Sequence, residues 1–196
     1  MNNSIGRVTV LVVAIVVSLT LSMNAALAQQ KSLKDRVVGT WKLVSVDSVR
    51  PNGQTLNFWM GLHPTGLIIY QPDGYMAVQI MHDPRAMFAK SPPTSAPTYD
   101  ELKNAFFGYY AYWGRYAINE ADSSVVHSVQ GSLLPGEVGL NYKRFLSIDG
   151  TKLVVTTPIF KAAVALAFSR DVLDGARIGG DEEFSNRLTF ERIAAD

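Results

Sequence analysis

Gly39-Thr40-Trp41-Lys42-Leu43-Val44-Ser45-Val46 opens a series of short β-rich segments that runs nearly to the end of the chain. Leu33–Val38 ahead of it reads as a short helical turn, and Trp41–Val49 as the first strand. Turn signals then recur at strand spacing. Pro51-Asn52-Gly53 ends the first strand. Gln71-Pro72-Asp73-Gly74 divides Gly66–Tyr70 from Tyr75–Met81, and Glu120-Ala121-Asp122-Ser123 divides Tyr109–Asn119 from Ser124–Leu133. Asp149-Gly150 divides Asn141–Ile148 from Lys152–Thr157. Gly, Asp and Asn between β-rich runs signal hairpins. With Thr55–Trp59 and Arg187–Ile193, nine candidate strands result. Adjacent hairpins imply an antiparallel meander, and closing it removes the exposed edges of an open sheet. The expected fold is all-β, an antiparallel up-and-down β-barrel of about eight to nine strands with short helical segments.

Other segments break the strand rhythm. Thr98-Tyr99-Asp100-Glu101 is a capping box, which predicts a helix through Phe107. Asp83–Pro97 carries four prolines and reads as a loop near the barrel mouth. Phe160–Phe168 is apolar almost all round and reads as a short helix; Arg170–Glu183, loosened by Gly175, Gly179 and Gly180, reads as a loop.

Residues 1–28 have the three parts of a secretory signal: Arg7, an uncharged run from Val8 to Leu21, and Ala26-Leu27-Ala28 as the cleavage pattern. The apolar run is shorter than the ~20 residues of a spanning helix, so no stable membrane span is expected after cleavage. Residues 29–196 suit one domain with a real core. The chain has 18 basic and 17 acidic residues, which gives no electrostatic reason to bind nucleic acid. It has no cysteine, so disulfides, thiol chemistry and a lipid-modified N-terminal cysteine are excluded. The expected location is the periplasm or the extracellular medium.

Several phrases in order resemble the bacterial lipocalin-like domain family, a group of calycin-like barrels. These are Gly39-Thr40-Trp41-Lys42-Leu43-Val44-Ser45, Gly66-Leu67-Ile68-Ile69-Tyr70 with Asp73-Gly74-Tyr75-Met76, and Tyr112-Trp113-Gly114-Arg115-Tyr116. Val125-Val126-His127 with Gly131-Ser132-Leu133, then Lys143-Arg144-Phe145, complete the set. The resemblance covers residues 35–158 and 186–193 and implies a small antiparallel barrel with an internal cavity. It implies Trp41 as a plug at the barrel floor, with a late-strand arginine, here Arg192, covering it as a cation–π pair. It implies no single activity. Residues 159–185 are longer than the family's usual final connection.

Alternate side chains of a barrel strand point inward. On that rule Arg144 joins Tyr142, Leu146 and Ile148; His127 joins Val125 and Val129; Tyr112 and Tyr116 join Ile118. The strands are neighbours in the meander, so Tyr112, Tyr116, His127 and Arg144 are the candidate ligand-binding residues. An inward guanidinium needs an anionic partner or dense hydrogen bonding. None of these strand faces supplies an acid, and a ligand carboxylate or enolate fits; the alternative is that Arg144 packs on an aromatic ring at the barrel end. His127 reads either as a general base or as a core histidine bonded to a tyrosine hydroxyl. His63, His82 and His127 lack metal-ligand spacing, and no metal site is expected. No nucleophile elbow, phosphate loop, dinucleotide fingerprint or paired-carboxylate motif occurs, and no cofactor is expected.

Three functions compete at this level. The first is an exported protein binding a small hydrophobic, anionic-headed ligand in its cavity. The second is a cyclase- or isomerase-type enzyme in the same cavity, with His127 or a tyrosine as acid or base. The third is an assembly protein using its outer surface, through Phe160–Phe168. The oligomeric state is not legible.

Overall fold

The computed structural model describes residues 31–56, 60–89, 96–161 and 181–194. Residues 1–28, where a signal sequence is expected, and most of the 159–185 connection lie outside them. Leu33–Asp196 forms one compact unit.

Helix α1 is Leu33–Val37, and ten strands follow: β1 Gly39–Val49, β2 Thr55–Leu56, β3 Thr65–Tyr70, β4 Tyr75–Met81, β5 Tyr109–Asn119, β6 Ser124–Ser132, β7 Asn141–Asp149, β8 Lys152–Thr156, β9 Phe160–Lys161 and β10 Glu183–Arg192. Helix α2, Tyr99–Phe107, joins β4 to β5. Strands β1, β3, β4, β5, β6, β7, β8 and β10 pair antiparallel in that order, and β10 returns to β1, with Trp41 opposite Arg192. The sheet is therefore a closed eight-stranded barrel, with β2 and β9 as short additions at its open end. Closure follows from the alternation. Met76, Val78 and Ile80 of β4 and Leu153 and Val155 of β8 are buried, their neighbours less so, and the buried sets share one core.

Two expectations change. The eight-stranded barrel is as expected, but the described residues hold ten strands where nine were read, because Phe160-Lys161 pairs with Glu183 and Phe184 as β9 where a helix was expected. Pairing with Glu183 and Phe184 takes these two residues into the sheet; tertiary pairing overrides local preference. Residues 162–168 of that expected helix, and 57–59 of the second strand, lie outside the described residues. The Thr98 capping box forms as read, with the Thr98 hydroxyl accepting from the Glu101 amide and the Glu101 carboxylate accepting from the Thr98 amide.

The closed end is built around Trp41, which is fully buried. Its indole Nε1–H donates to the Val37 carbonyl at 2.8 Å. The Arg192 guanidinium lies 3.9 Å from the ring centroid and donates to the carbonyls of Val38 and Arg36. At the other end of α1 the Glu120 carboxylate accepts the Leu33 and Lys34 amides. A five-residue helix has no stability of its own. It persists because side chains of the barrel satisfy both its ends. Gly39 makes the close approach possible. Its φ is +136°, and a Cβ there would stand 2.5 Å from Arg192 Nη1. Gly39→Ala is expected to destabilise the fold by about 1–3 kcal/mol, from backbone strain plus displacement of the arginine. Urea denaturation checks this, and an unchanged midpoint contradicts it.

Candidate functional site

Towards the open end the barrel is hollow. A cavity of about 530 Å³ lies between Ile68, Val78, Ile80, Val155, Leu188 and Phe190, which make it predominantly apolar. That volume falls within the range of pockets that take small organic molecules. One wall carries Tyr112 of β5, His127 of β6, Tyr142 and Arg144 of β7, and Glu137 of the short 3-10 turn Pro135–Glu137 between β6 and β7; Thr157, and Asn186 of β10, add polar groups elsewhere in the lining.

The register explains why the β-strand groups meet. His127 stands opposite Tyr142 and Tyr116, and Val125 opposite Arg144. Gly114, on β5 between the tyrosines, faces a bulge that leaves Gln130 of β6 without a partner. A Cβ at Gly114 would stand 2.0 Å from the Ser128 carbonyl oxygen, so only glycine lets the strands approach here.

His127 is only 1% exposed and engages both ring nitrogens. Nε2 lies 2.9 Å from the Tyr70 hydroxyl and Nδ1 2.8 Å from the Tyr112 hydroxyl. Burial, reinforced by the nearby Arg144 charge, pushes its pKa down to about 3. It is therefore a neutral imidazole held by two phenols. Burial likewise raises Tyr70 well above the usual tyrosine range. Tyr112 is raised to about 12, burial dominating over the opposing pull of Arg144.

Arg144 lines the cavity half-buried, with its guanidinium 4.8 Å from the Tyr142 ring centroid and one Nη donating to the Lys143 carbonyl at 2.8 Å. Among the described residues no carboxylate lies within ion-pairing distance of it. Glu137 faces the same cavity but is engaged otherwise. It accepts from the Tyr110 hydroxyl at 3.0 Å and the Ser132 hydroxyl at 2.6 Å, and it also interacts with the Tyr142 hydroxyl. Burial first, then this carboxylate, pushes Tyr142 up.

Of the four candidate residues, Tyr112, His127 and Arg144 line the cavity together. Tyr116 does not. It shares their inward face, but it sits deeper, packs edge-on against Tyr70 at 5.0 Å, and donates its hydroxyl to the Gln71 carbonyl. Alternation assigns a face and not a height along the barrel. Sequence reasoning also missed Tyr70, which reaches His127 across the barrel interior from a non-adjacent strand, and Glu137, which comes from a connection. The expected absence of an acid near Arg144 holds for the strand faces but overlooks this turn.

The lipocalin-like domain family model matches residues 38–169. The chain belongs to this family. Among solved structures, a redesigned β-barrel aligns with 12% identity over 84% of this chain and 98% of its own, with a TM-score of 0.37. A mutant of the fluorescent protein UnaG aligns with 15% identity over 81% of this chain and 96% of its own, with a TM-score of 0.30. A search of curated proteins found no match. Among the described residues of this lipocalin-like barrel, no three His, Asp or Glu side chains gather as a metal site. No helix among them is long and apolar enough to cross a membrane.

Proposed function

We propose that this lipocalin-like protein is exported to the periplasm or medium and holds one small, mostly apolar molecule in its barrel, with an anionic head at Arg144. Arg144 carries the reading. A guanidinium keeps its charge, and here it borders an apolar cavity without a carboxylate partner among the described residues. Such a group is stabilised by an anion that brings its own apolar body to fill the space. The signal pattern in residues 1–28 supports export.

The cyclase or isomerase reading needs a proton carrier near neutral pH. His127 has both nitrogens engaged and its pKa pushed down to about 3, and so no observation favours that chemistry. Outer-surface assembly through Phe160–Phe168 has no support either, since its first two residues are tied into β9.

The test is displacement of a fluorescent apolar probe by dodecanoate from the wild type and from Arg144→Met. Methionine keeps apolar bulk and removes the charge. A loss of about 10–100-fold in dodecanoate affinity is expected, with the thermal midpoint little changed. Equal affinity in a folded variant contradicts the assignment.

A further inference from the structure

The hydrogen bonds around His127 determine more than its neutrality. A neutral imidazole donates from one nitrogen and accepts at the other. Tyr70 is 1% exposed, and among the described residues its hydroxyl has one hydrogen-bond partner, His127 Nε2. If Nε2 carried the proton, Tyr70 would accept it, and its own hydroxyl hydrogen would be buried without an acceptor. That arrangement forfeits a hydrogen bond in a place with no water to replace it. In the opposite arrangement the hydrogen without a protein acceptor is that of Tyr112, which borders the cavity and can meet water or a ligand there. Tyr70 donates to Nε2, and Nδ1–H donates to the Tyr112 oxygen at 2.8 Å.

The consequence falls on Tyr112, whose side chain borders the cavity. Its oxygen takes the proton of Nδ1, so its own hydroxyl hydrogen is not used by His127. Arg144 lines the same cavity and attracts this phenol oxygen, and a cation beside an oxygen favours a hydroxyl hydrogen turned away from it. A hydroxyl hydrogen and a guanidinium therefore face one space, both as donors. Glu137 also bears on this phenol electrostatically. A carboxylate so near disfavours a second negative charge on whatever occupies the space.

We infer that Tyr112 and Arg144 form a two-donor clamp for a monoanionic, acceptor-only head, a carboxylate or enolate, and that His127 is the positioning residue that points the Tyr112 hydroxyl at it. The inference rests on the binding reading above and sharpens it to a head-group class. An alcohol oxygen can accept from both donors but brings no charge to Arg144 and leaves its own hydroxyl hydrogen to be satisfied, and a phosphate brings excess charge.

Two measurements test it separately. Long-range 1H–15N correlation NMR of the histidine-labelled wild type, without any ligand, reads the tautomer directly. The expected result is a protonated Nδ1 and a bare Nε2 on His127; a protonated Nε2 overturns the inference whatever the protein binds. Probe displacement by dodecanoate, dodecanol and dodecyl phosphate then compares the wild type with Tyr112→Phe. Wild-type preference for dodecanoate is expected, with about tenfold loss of dodecanoate affinity in the variant and little change for dodecanol. Equal losses for both ligands reduce Tyr112 to packing and overturn the clamp, as does unchanged dodecanoate affinity. A wild type that binds none of the three overturns the binding reading and the clamp with it.

Discussion

Lowering the pH from 7 to 4.5 is expected to remove about 3 kcal/mol of folding stability through His127 alone. The folded imidazole stays neutral down to about pH 3, because burial and the Arg144 charge disfavour its cation. The unfolded imidazole titrates near its ordinary value of about 6.5. On acidification the unfolded chain thus takes up this proton first. The contribution is complete above about pH 6.5 and drains as pH falls toward 3, at about 1.4 kcal/mol per pH unit within that window. Since whole domains are stable by only about 5–15 kcal/mol, the loss is a large share. Hydrogen bonds hold the Asp122 and Glu101 carboxyls below their ordinary values, so their contributions begin to fall at lower pH. Urea midpoints measured between pH 7 and 4.5 check the prediction. His127→Gln should be less stable at pH 7 and nearly flat across this range. A wild type with pH-independent stability, or a folded His127 titrating near 6.5, contradicts it.

Trp41→Ala is expected to cost about 3–5 kcal/mol, the range for removing a buried large aromatic. The ring is fully buried at the closed end, and three groups depend on it. The Val37 carbonyl loses the indole donor, Arg192 loses the face on which it lies 3.9 Å from the centroid, and α1 loses its floor. Trp41→Phe keeps much of the apolar area but not the Nε1–H donor, and a loss of about 1–2 kcal/mol is expected from it. Neither change touches the cavity wall, so a folded variant should bind dodecanoate as the wild type does. Guanidinium denaturation checks the first claim; a cost under 1 kcal/mol for the alanine variant would mean that the floor is held by other contacts.

The barrel is largely legible from its alternation and turns. The Gln71–Gly74, Glu120–Ser123 and Asp149–Gly150 turns sit between strands that pair as read. Arg192 over Trp41 is implied by the family resemblance and not by alternation; the closed barrel makes the two cross-strand partners. What sequence does not carry is depth and cross-barrel distance. Tyr112 and Tyr116 have the same parity, yet only Tyr112 reaches the cavity, because stagger between strands sets the height of each side chain. Tyr70 and His127 lie on strands separated by two others, and only closure brings them to 2.9 Å. Glu137 is placed by a short turn whose conformation no periodicity announces.

The central claim is that the cavity beside Arg144 holds an apolar molecule by an anionic head. The most direct measurement is native mass spectrometry of the protein purified gently from its own host, followed by extraction and identification of what it carries. The account predicts a stoichiometric small amphiphile with a single carboxylate or enolate head. A bound molecule that is cationic, or that has no oxygen acceptor to offer Arg144, would contradict it.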